Sequence, residues 1–183
     1  MSLRSIDGPA TASASAERLG VPGRVMFPVD PSVPSFVLDN FADCRSGGSR
    51  AHIGTDITSR RGAAIYAVAD GTLSVQWHNT GTAGFGWQLT ATDGRRFRYF
   101  HLDRFAPGLS RGDRVRRGDV IGYVGSTGNF IWVNGQQVED RNNIHLHFEV
   151  HPPGLKAINP MSVMDVPSHI GIGRRLNACS HLV

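Results

Sequence analysis

Residues 144–150 read Ile144-His145-Leu146-His147-Phe148-Glu149-Val150, an unbroken alternation of apolar and polar side chains. Because successive side chains of a β-strand point to opposite faces, this stretch predicts a strand whose apolar face packs on a core. The two histidines then share the other face, with Cα atoms roughly 6–7 Å apart. At that spacing one imidazole can bind a metal ion while the other reaches the metal's open position. A half-exposed strand with two polar histidines is the alternative interpretation.

Short apolar runs broken by glycine, asparagine and aspartate continue outward from this strand, from Arg24 to about Pro160. The Asp93-Gly94 pair is a hairpin signal, because both residues tolerate positive φ. The chain has 22 glycines and 10 prolines, and no long helix is predicted. We therefore predict an all-β fold, a single compact antiparallel-sheet domain with long loops. The further predicted strands are 63–69, 71–79, 85–92, 96–102 and 120–124.

Length and composition predict one folded domain with a segment on either side of it. The chain has 183 residues, 40% of them hydrophobic, which is enough for one core. A flexible leader is predicted at 1–22, the domain at 23–165 and a C-terminal tail at 166–183. Residues 1–22 contain no apolar h-region, so no signal peptide is predicted there, and Met1-Ser2-Leu3 is interpreted as an added leader. No segment approaches the ~18 apolar residues that a membrane span needs.

The charge and the cysteines restrict the partners and the compartment. The net charge is +4 and Lys156 is the only lysine, so almost all basic residues are arginines. A positive field favours polyanions, but no basic run exceeds two residues and no nucleic-acid motif occurs, so no nucleic-acid partner is predicted. Cys44 and Cys179 form no C-x-x-C pair. They are either two unrelated thiols or one disulfide that ties the tail to the domain, as in an oxidising compartment.

Two further segments carry candidate metal or catalytic residues. His52-Ile53-Gly54-Thr55-Asp56-Ile57 is disfavoured as a helix by its glycine and β-branched residues, so an extended segment with a turn at Gly54 is predicted. Such a turn can bring His52 and Asp56 to one ion, and both side chains suit Zn²⁺ at bonds of roughly 2.0–2.2 Å. His101 ends the predicted 96–102 strand, and on its own it is interpreted as a surface residue.

These segments together contain the components of a catalytic zinc site. Three protein ligands leave the fourth tetrahedral position for water, which distinguishes a catalytic site from a closed structural one. His52, Asp56 and one of the paired histidines would be those ligands. The two remaining histidines are then available for proton transfer and oxyanion stabilisation.

The order of these motifs resembles that of the lysostaphin-type (LytM-type) zinc endopeptidases, which act on peptidoglycan. The resemblance runs from about Phe27 to Pro160 and also includes glycine-containing turns at 67–71, 112–122 and 125–128. It implies a barrel-sandwich-hybrid-like fold around a metal cleft, and a location in the cell envelope, periplasmic or secreted. It assigns His52, Asp56 and His147 as the zinc ligands and His101 and His145 as the catalytic histidines.

The function implied by the resemblance is that of a zinc metalloendopeptidase. It would hydrolyse peptide bonds in peptidoglycan cross-links or stem peptides, with a metal-activated water as nucleophile and the two histidines assisting. The resemblance leaves open whether glycine-rich bridges or stem peptides are cut, and which histidine is the general base. Peptidoglycan peptides are the expected partners.

One segment departs from the family pattern. Residues 129–144, between the Thr-Gly pair and His145, are longer than usual, and Asn134-Gly135 between two β-like runs predicts a hairpin tip. We predict that residues 130–142 form a hairpin along the rim of the cleft and help to select the peptide. The alternative is a hairpin folded onto the domain, with Trp132 in the core.

Two other classes of protein compete with this interpretation. A non-catalytic wall-binding or amidase-activating relative would share the fold, but the presence of all five site residues argues against it. A lipoyl- or biotin-carrier module is suggested by residues 112–119. Such carriers need a modifiable lysine at a turn, and Lys156 lies beyond the last clear strand.

Overall fold

The described part of the chain is built from short and medium β-strands. The structure, a computed structural model, describes residues 23–174 and Cys179, so the predicted leader 1–22 lies outside it. Its helical elements are three 3₁₀ turns, Ser46–Gly48, Gly81–Ala83 and Pro160–Ser162, and within this part no helix is long and apolar enough to cross a membrane. The predicted all-β fold is confirmed. The strands are β1 (Val25–Met26), β2 (Ser35–Asp39), β3 (Cys44–Arg45), β4 (Arg50–Ala51), β5 (Thr55–Ser59), β6 (Ala64–Tyr66), β7 (Gly71–Thr80), β8 (Gly84–Ala91), β9 (Arg96–Phe105), β10 (Arg114–Val115), β11 (Val120–Val124), β12 (Phe130–Val133), β13 (Gln136–Glu139), β14 (His145–His151), β15 (Met164–Asp165) and β16 (Gly171–Arg174).

Ten of these strands form one sheet. Its main path runs β10-β7-β8-β9-β14-β5-β2-β16; β11 joins this path by pairing with β9, and β6 joins by pairing with β11. All pairs in it are antiparallel except β16 with β2. Strand β9 pairs with β14 as far as Phe100 and with β11 from Leu102 onward. The strand therefore changes its neighbour at His101.

The apolar face of β14 lies in the core, as its alternation predicts. Leu146, Phe148 and Val150 are fully buried, and Phe148 stacks on Phe97 with ring centroids 6.1 Å apart. The polar face is buried as well, with His145 7% and His147 9% exposed. The half-exposed alternative is therefore wrong.

Part of the predicted tail is built into the sheet. Strand β16, Gly171–Arg174, lies parallel to β2 with Ile172 opposite Val37. Beyond it, Cys179 forms a disulfide with Cys44 of β3, so the disulfide alternative for the two cysteines is confirmed. The backbone N–H of Cys179 also donates to the carbonyl of Ala42 at 2.6 Å. These contacts connect the end of the chain to the segment that leads into the cleft.

The segment inserted before β14 forms the predicted hairpin. Strands β12 and β13 pair with each other, and both tip residues, Asn134 and Gly135, have positive φ (50° and 77°). Trp132 is 74% exposed. The alternative in which Trp132 is a core residue is therefore wrong.

Candidate active site

The candidate site lies on three neighbouring strands in the middle of the sheet. His147 of β14 stands opposite Asp56 of β5 on one side and Phe100 of β9 on the other. His52 arrives on the extended segment before β5, which bends at Gly54 as predicted. A Cβ atom at position 54 would lie 2.6 Å from both Nε2 of His147 and the carbonyl oxygen of Phe148. Only glycine permits this close approach, so Gly54 allows His52 and Asp56 to reach His147.

Three side-chain atoms converge in this cluster. Nε2 of His52 lies 2.9 Å from Nδ1 of His147 and 3.2 Å from Oδ1 of Asp56, and the remaining distance is 3.0 Å. Ligands of a tetrahedral zinc ion at bonds of roughly 2.0–2.1 Å lie about 3.3 Å apart. Two imidazoles and one carboxylate are also a donor set that suits Zn²⁺. The cluster therefore fits a three-ligand metal site in both its spacing and its chemistry.

Asn40, which the sequence analysis missed, holds two of these three side chains. Its backbone carbonyl oxygen lies 3.0 Å from Nδ1 of His52 and accepts a hydrogen bond from the Nδ1 proton. Nε2 of His52 is then unprotonated, and its lone pair points toward the cluster. Its amide nitrogen donates to Oδ2 of Asp56 at 2.7 Å, and its amide oxygen accepts from the backbone N–H of Asp56 at 3.2 Å. Asn40 is only 1% exposed. It follows β2, a strand that was not predicted, so no sequence signal marked it.

A second supporting chain of hydrogen bonds lies behind His147. Nε2 of His147 is 3.1 Å from Oε1 of Glu149, whose Oε2 is 2.6 Å from Nε2 of His151. Nη1 of Arg98 donates to the same oxygen at 3.4 Å. With its Nε2 proton given to Glu149, His147 presents Nδ1 to the cluster. Partners of this kind fix the ring orientation of a metal-binding histidine.

The other two predicted site histidines share one arrangement of ring nitrogens. Nδ1 of His101 lies 2.8 Å from the carbonyl oxygen of Thr127, and Nδ1 of His145 lies 3.1 Å from that of Asn143. Each carbonyl accepts the Nδ1 proton, so the unprotonated Nε2 atom is the one available for chemistry. The two ring centroids are 4.7 Å apart, and Nε2 of His145 is 3.7 Å from Oδ1 of Asp56.

His101 reaches this position through an unusual backbone conformation. Its φ is +65°, in the left-handed region, and the β8–β9 register shifts beside it. Such irregularities re-aim side chains at functional sites and cost free energy that the surroundings must offset. His101 is 8% exposed, so its interpretation as a surface residue is wrong.

Charges and burial set the protonation of the cluster without a metal. Burial is the largest single effect and by itself would raise the pKa of Asp56 and lower that of His147, but the hydrogen bonds and opposite charges of their neighbours together outweigh it in both cases. With its further hydrogen bond to the Glu149 carboxylate, His147 has its pKa raised to about 9, and the pKa of Asp56 is held far below its usual range. The metal-free cluster is therefore an ion pair that holds a proton on His147.

The pKa values of His101 and His145 shift downward, in the direction opposite to that of His147. Burial, followed by the neighbouring imidazoles, lowers the pKa of His101 to about 3. Burial also lowers the pKa of His145. Both rings are therefore neutral near pH 7 and can accept a proton at Nε2.

The structure brings all five predicted site residues together in one open cleft. Among the other histidines in the described residues, His151 reaches the site only through Glu149, and His78 and His169 lie elsewhere. Phe130 and Gln137 of the hairpin line the cleft, which puts the hairpin at its rim. Arg45 and Arg50, which were not among the predicted site residues, line it too.

An all-β sheet that presents a His-Asp-His cluster with two neutral histidines beside it in an open cleft has the architecture of a metallopeptidase. The chain belongs to peptidase family M23, whose sequence profile matches residues 50–160. The resemblance to lysostaphin-type peptidases is thereby confirmed. Asn40 and Arg45 both precede the matched segment.

Individual relatives agree with this assignment. The chain is 34% identical over 110 residues to the L-Ala–D-Glu endopeptidase of Bacillus subtilis, a match that covers 58% of this chain and 32% of that relative. A zinc-containing peptidase from Vibrio cholerae superposes with a TM-score of 0.60 at 27% identity, over 77% of this chain and 40% of that one. The catalytic domain of lysostaphin, the antimicrobial peptidase from Staphylococcus simulans, superposes with a TM-score of 0.54 at 25% identity, over 71% and 90% of the two chains.

Proposed function

We propose that the chain is a zinc metalloendopeptidase that hydrolyses peptide bonds in peptidoglycan cross-links or stem peptides. The observation that carries this proposal is the convergence of three ligand atoms, each about 3 Å from the other two, beside two histidines with Nε2 available. The family, and a peptidoglycan endopeptidase among the chain's relatives, support the reaction class. The supporting relative that contains zinc favours zinc as the metal.

Under this proposal His52, Asp56 and His147 hold the metal. A zinc ion in such a site supplies Lewis acidity, polarising the scissile carbonyl and lowering the pKa of a coordinated water to about 7. Asn40 and Glu149 keep the rings and the carboxylate in position through the nitrogen and oxygen atoms that face away from the cluster. The site is thus pre-organised before substrate arrives.

His101 and His145 handle the protons. Because burial keeps both rings neutral and their Nδ1 protons are held by carbonyl oxygens, their Nε2 atoms act as acceptors. One of the pair takes the proton of the attacking water and passes it to the leaving amine. The other stabilises the oxygen that gains charge in the transition state once its own Nε2 carries a proton, because only an N–H group can donate a hydrogen bond to that oxygen.

The cell envelope is the compartment in which this activity would operate. Peptidoglycan peptides are the substrate, and a periplasmic or secreted location gives access to them. The Cys44–Cys179 disulfide supports an oxidising compartment, where such bonds persist.

Digestion of defined muropeptides tests the proposal, with products identified by mass spectrometry. Zinc-loaded protein should release peptide fragments, a chelator should stop the release, and added Zn²⁺ should restore it. The His78→Ala variant is the matched control, since that exposed histidine lies outside the cleft. Full zinc loading without any cleavage would favour the non-catalytic relative instead.

A further inference from the structure

Two arginines stand opposite each other on one wall of the cleft. Strands β3 and β4 form a two-stranded ribbon in which Arg45 pairs with Arg50, so both side chains lie on the same face. Both line the cleft that contains Asp56. Like charges directly opposite one another destabilise a strand pair. A pair of arginines in this register therefore costs stability unless an anion lies between them.

Among the described residues, few of the donors of these two guanidinium groups have an acceptor. Within the part of the chain that the structure describes, neither makes a side-chain hydrogen bond, and Nε of Arg45 is buried without a partner. Within the described residues, Arg45 has one ion-pair partner, Asp56. The distance from Nη2 of Arg45 to Oδ2 of Asp56 is 3.6 Å, which is long for an ion pair. By comparison, Arg61 is paired closely with Asp103, at 2.8 Å. The cleft pair thus has spare capacity for an acceptor.

The ribbon that carries them is held in place. Cys44, next to Arg45, forms the disulfide with Cys179, and it pairs across the ribbon with Ala51. Ala51 immediately precedes His52 in the chain, so the ribbon connects directly to the His-Asp-His cluster. A charged group bound by the arginines would therefore lie at a defined place relative to the scissile bond.

We propose that Arg45 and Arg50 bind a carboxylate of the substrate peptide close to the bond that is cut. Guanidinium groups bind carboxylates through paired, charge-assisted hydrogen bonds. A carboxylate is therefore the acceptor that fits the N–H groups of Arg45 and Arg50. The inference rests on the proposed function and restricts the class of peptide that is cut. A glycine bridge has no side-chain carboxylate, whereas stem peptides carry free carboxylates, so stem peptides are the preferred substrate class.

A purely supporting role for Arg45, in which it only holds Asp56, makes a different prediction. That role would require zinc affinity to fall in Arg45→Gln and would leave Arg50→Gln without any effect, because Arg50 is exposed and, in the described part of the chain, no ion pair or hydrogen bond joins it to a cluster residue. Arg50 therefore separates substrate binding from support of the metal site.

The test uses two stem peptides that differ only in one group, a carboxylate beside the cleaved bond or its carboxamide. Wild-type protein should cut the carboxylate form with a kcat/KM roughly 10- to 100-fold higher. Arg50→Gln, and more strongly the double variant R45Q/R50Q, should bring the carboxylate form down to the rate of the carboxamide, with zinc content unchanged. Arg104→Gln is the matched control, because its guanidinium stacks on Tyr123 outside the cleft.

Calorimetric binding of the same two peptides to zinc-loaded protein keeps this inference separate from the proposed function. If wild-type protein cuts neither peptide, the proposed function fails, and the difference in binding affinity then decides the role of the arginines. Equal affinities and equal rates for the two peptides in wild-type protein would overturn the carboxylate site. Equal losses on both peptides in Arg50→Gln would overturn it too.

Discussion

Nε2 of His52 lies 2.9 Å from Nδ1 of His147, although 95 positions separate the two residues in the chain. Each ring gives its other nitrogen to an acceptor, the Asn40 carbonyl for His52 and Glu149 for His147. The facing nitrogens are therefore selected by hydrogen bonds outside the cluster. Because these outer hydrogen bonds occupy the other ring nitrogens, Nε2 of His52 and Nδ1 of His147 both point to one place beside Asp56. A metal ion bound there would displace the proton that His147 shares with Asp56.

The two histidines proposed to transfer protons, His101 and His145, should be separable from the proposed metal site. We predict that His101→Ala and His145→Ala each keep one zinc per chain but lose roughly 10²- to 10⁴-fold in turnover, the usual contribution of a positioned proton donor or acceptor. Elemental analysis and initial rates on a muropeptide measure the two properties. Near-normal rates in both variants, with zinc present, would refute the role.

Asn40 should act on the metal site from outside it. Because it makes three hydrogen bonds to two of the ligand residues, we predict that Asn40→Ala weakens zinc binding roughly 10- to 100-fold. Competition with a chromophoric chelator measures the affinity. Asn159→Ala is the control: its amide donates to Asp39 at 2.9 Å, so it removes a similar bond without contact to a ligand. An equal loss of affinity in both variants would reduce Asn40 to a general structural role.

Zinc affinity should depend on pH with a defined sign. In the metal-free protein His147 has its pKa raised to about 9, so below that pH its Nδ1 carries a proton that zinc must displace. Apparent affinity should then fall about tenfold for each pH unit toward acid. His101, whose pKa is lowered to about 3, stays neutral over this range.

Activity in mildly acidic buffer should therefore be weak at limiting zinc and should recover with excess zinc. Rates measured between pH 5 and pH 8 at two zinc concentrations check this expectation. Steady cleavage down to about pH 4 without added zinc, well below the ordinary histidine pKa of roughly 6.5, would contradict it.

The hairpin should select among substrates through one of its two faces. Trp132 pairs with Gln137 and shares a face with Phe130, and Phe130 and Gln137 line the cleft. We predict that Trp132→Ala changes the relative rates on different muropeptides by roughly 2- to 10-fold, the scale of one aromatic contact. Ile131→Ala, on the opposite face, should leave them unchanged.

Replacement of residues 130–142 by a short glycine-containing turn extends the same test. We expect this variant to bind zinc as the wild type does, because the three proposed ligands lie on other segments. Relative rates identical to those of the wild type across several muropeptides would show that the hairpin does not select substrate.

Local signals in the sequence predicted much of the fold. The alternation at 144–150 predicted β14, and the Asn134-Gly135 and Asp93-Gly94 pairs predicted their turns, because each depends on neighbouring residues alone. Strands β2 and β16 were missed, since short strands of this kind are stabilised mainly by distant partners.

The candidate site likewise contains some residues that a local pattern marks and others that only distant strand pairing brings in. The motif around His52 and Asp56 is local and could be recognised, whereas Asn40 joins it only because β2 pairs with β5. The direction of His101 depends on a change of neighbour from β14 to β11, which no local pattern contains. The register that puts Arg45 opposite Arg50 likewise appears only in the folded ribbon.

The most direct test of the central claim is a zinc titration of metal-free protein in which bound zinc and muropeptide cleavage are measured on the same samples. We predict that cleavage rises in proportion to bound zinc and stops rising at one zinc per chain. His52→Ala and Asp56→Ala should bind no zinc at these concentrations and should cut nothing, whereas His78→Ala should behave as wild type. Full zinc occupancy in both ligand variants, or cleavage by wild-type protein that does not depend on zinc, would contradict the account.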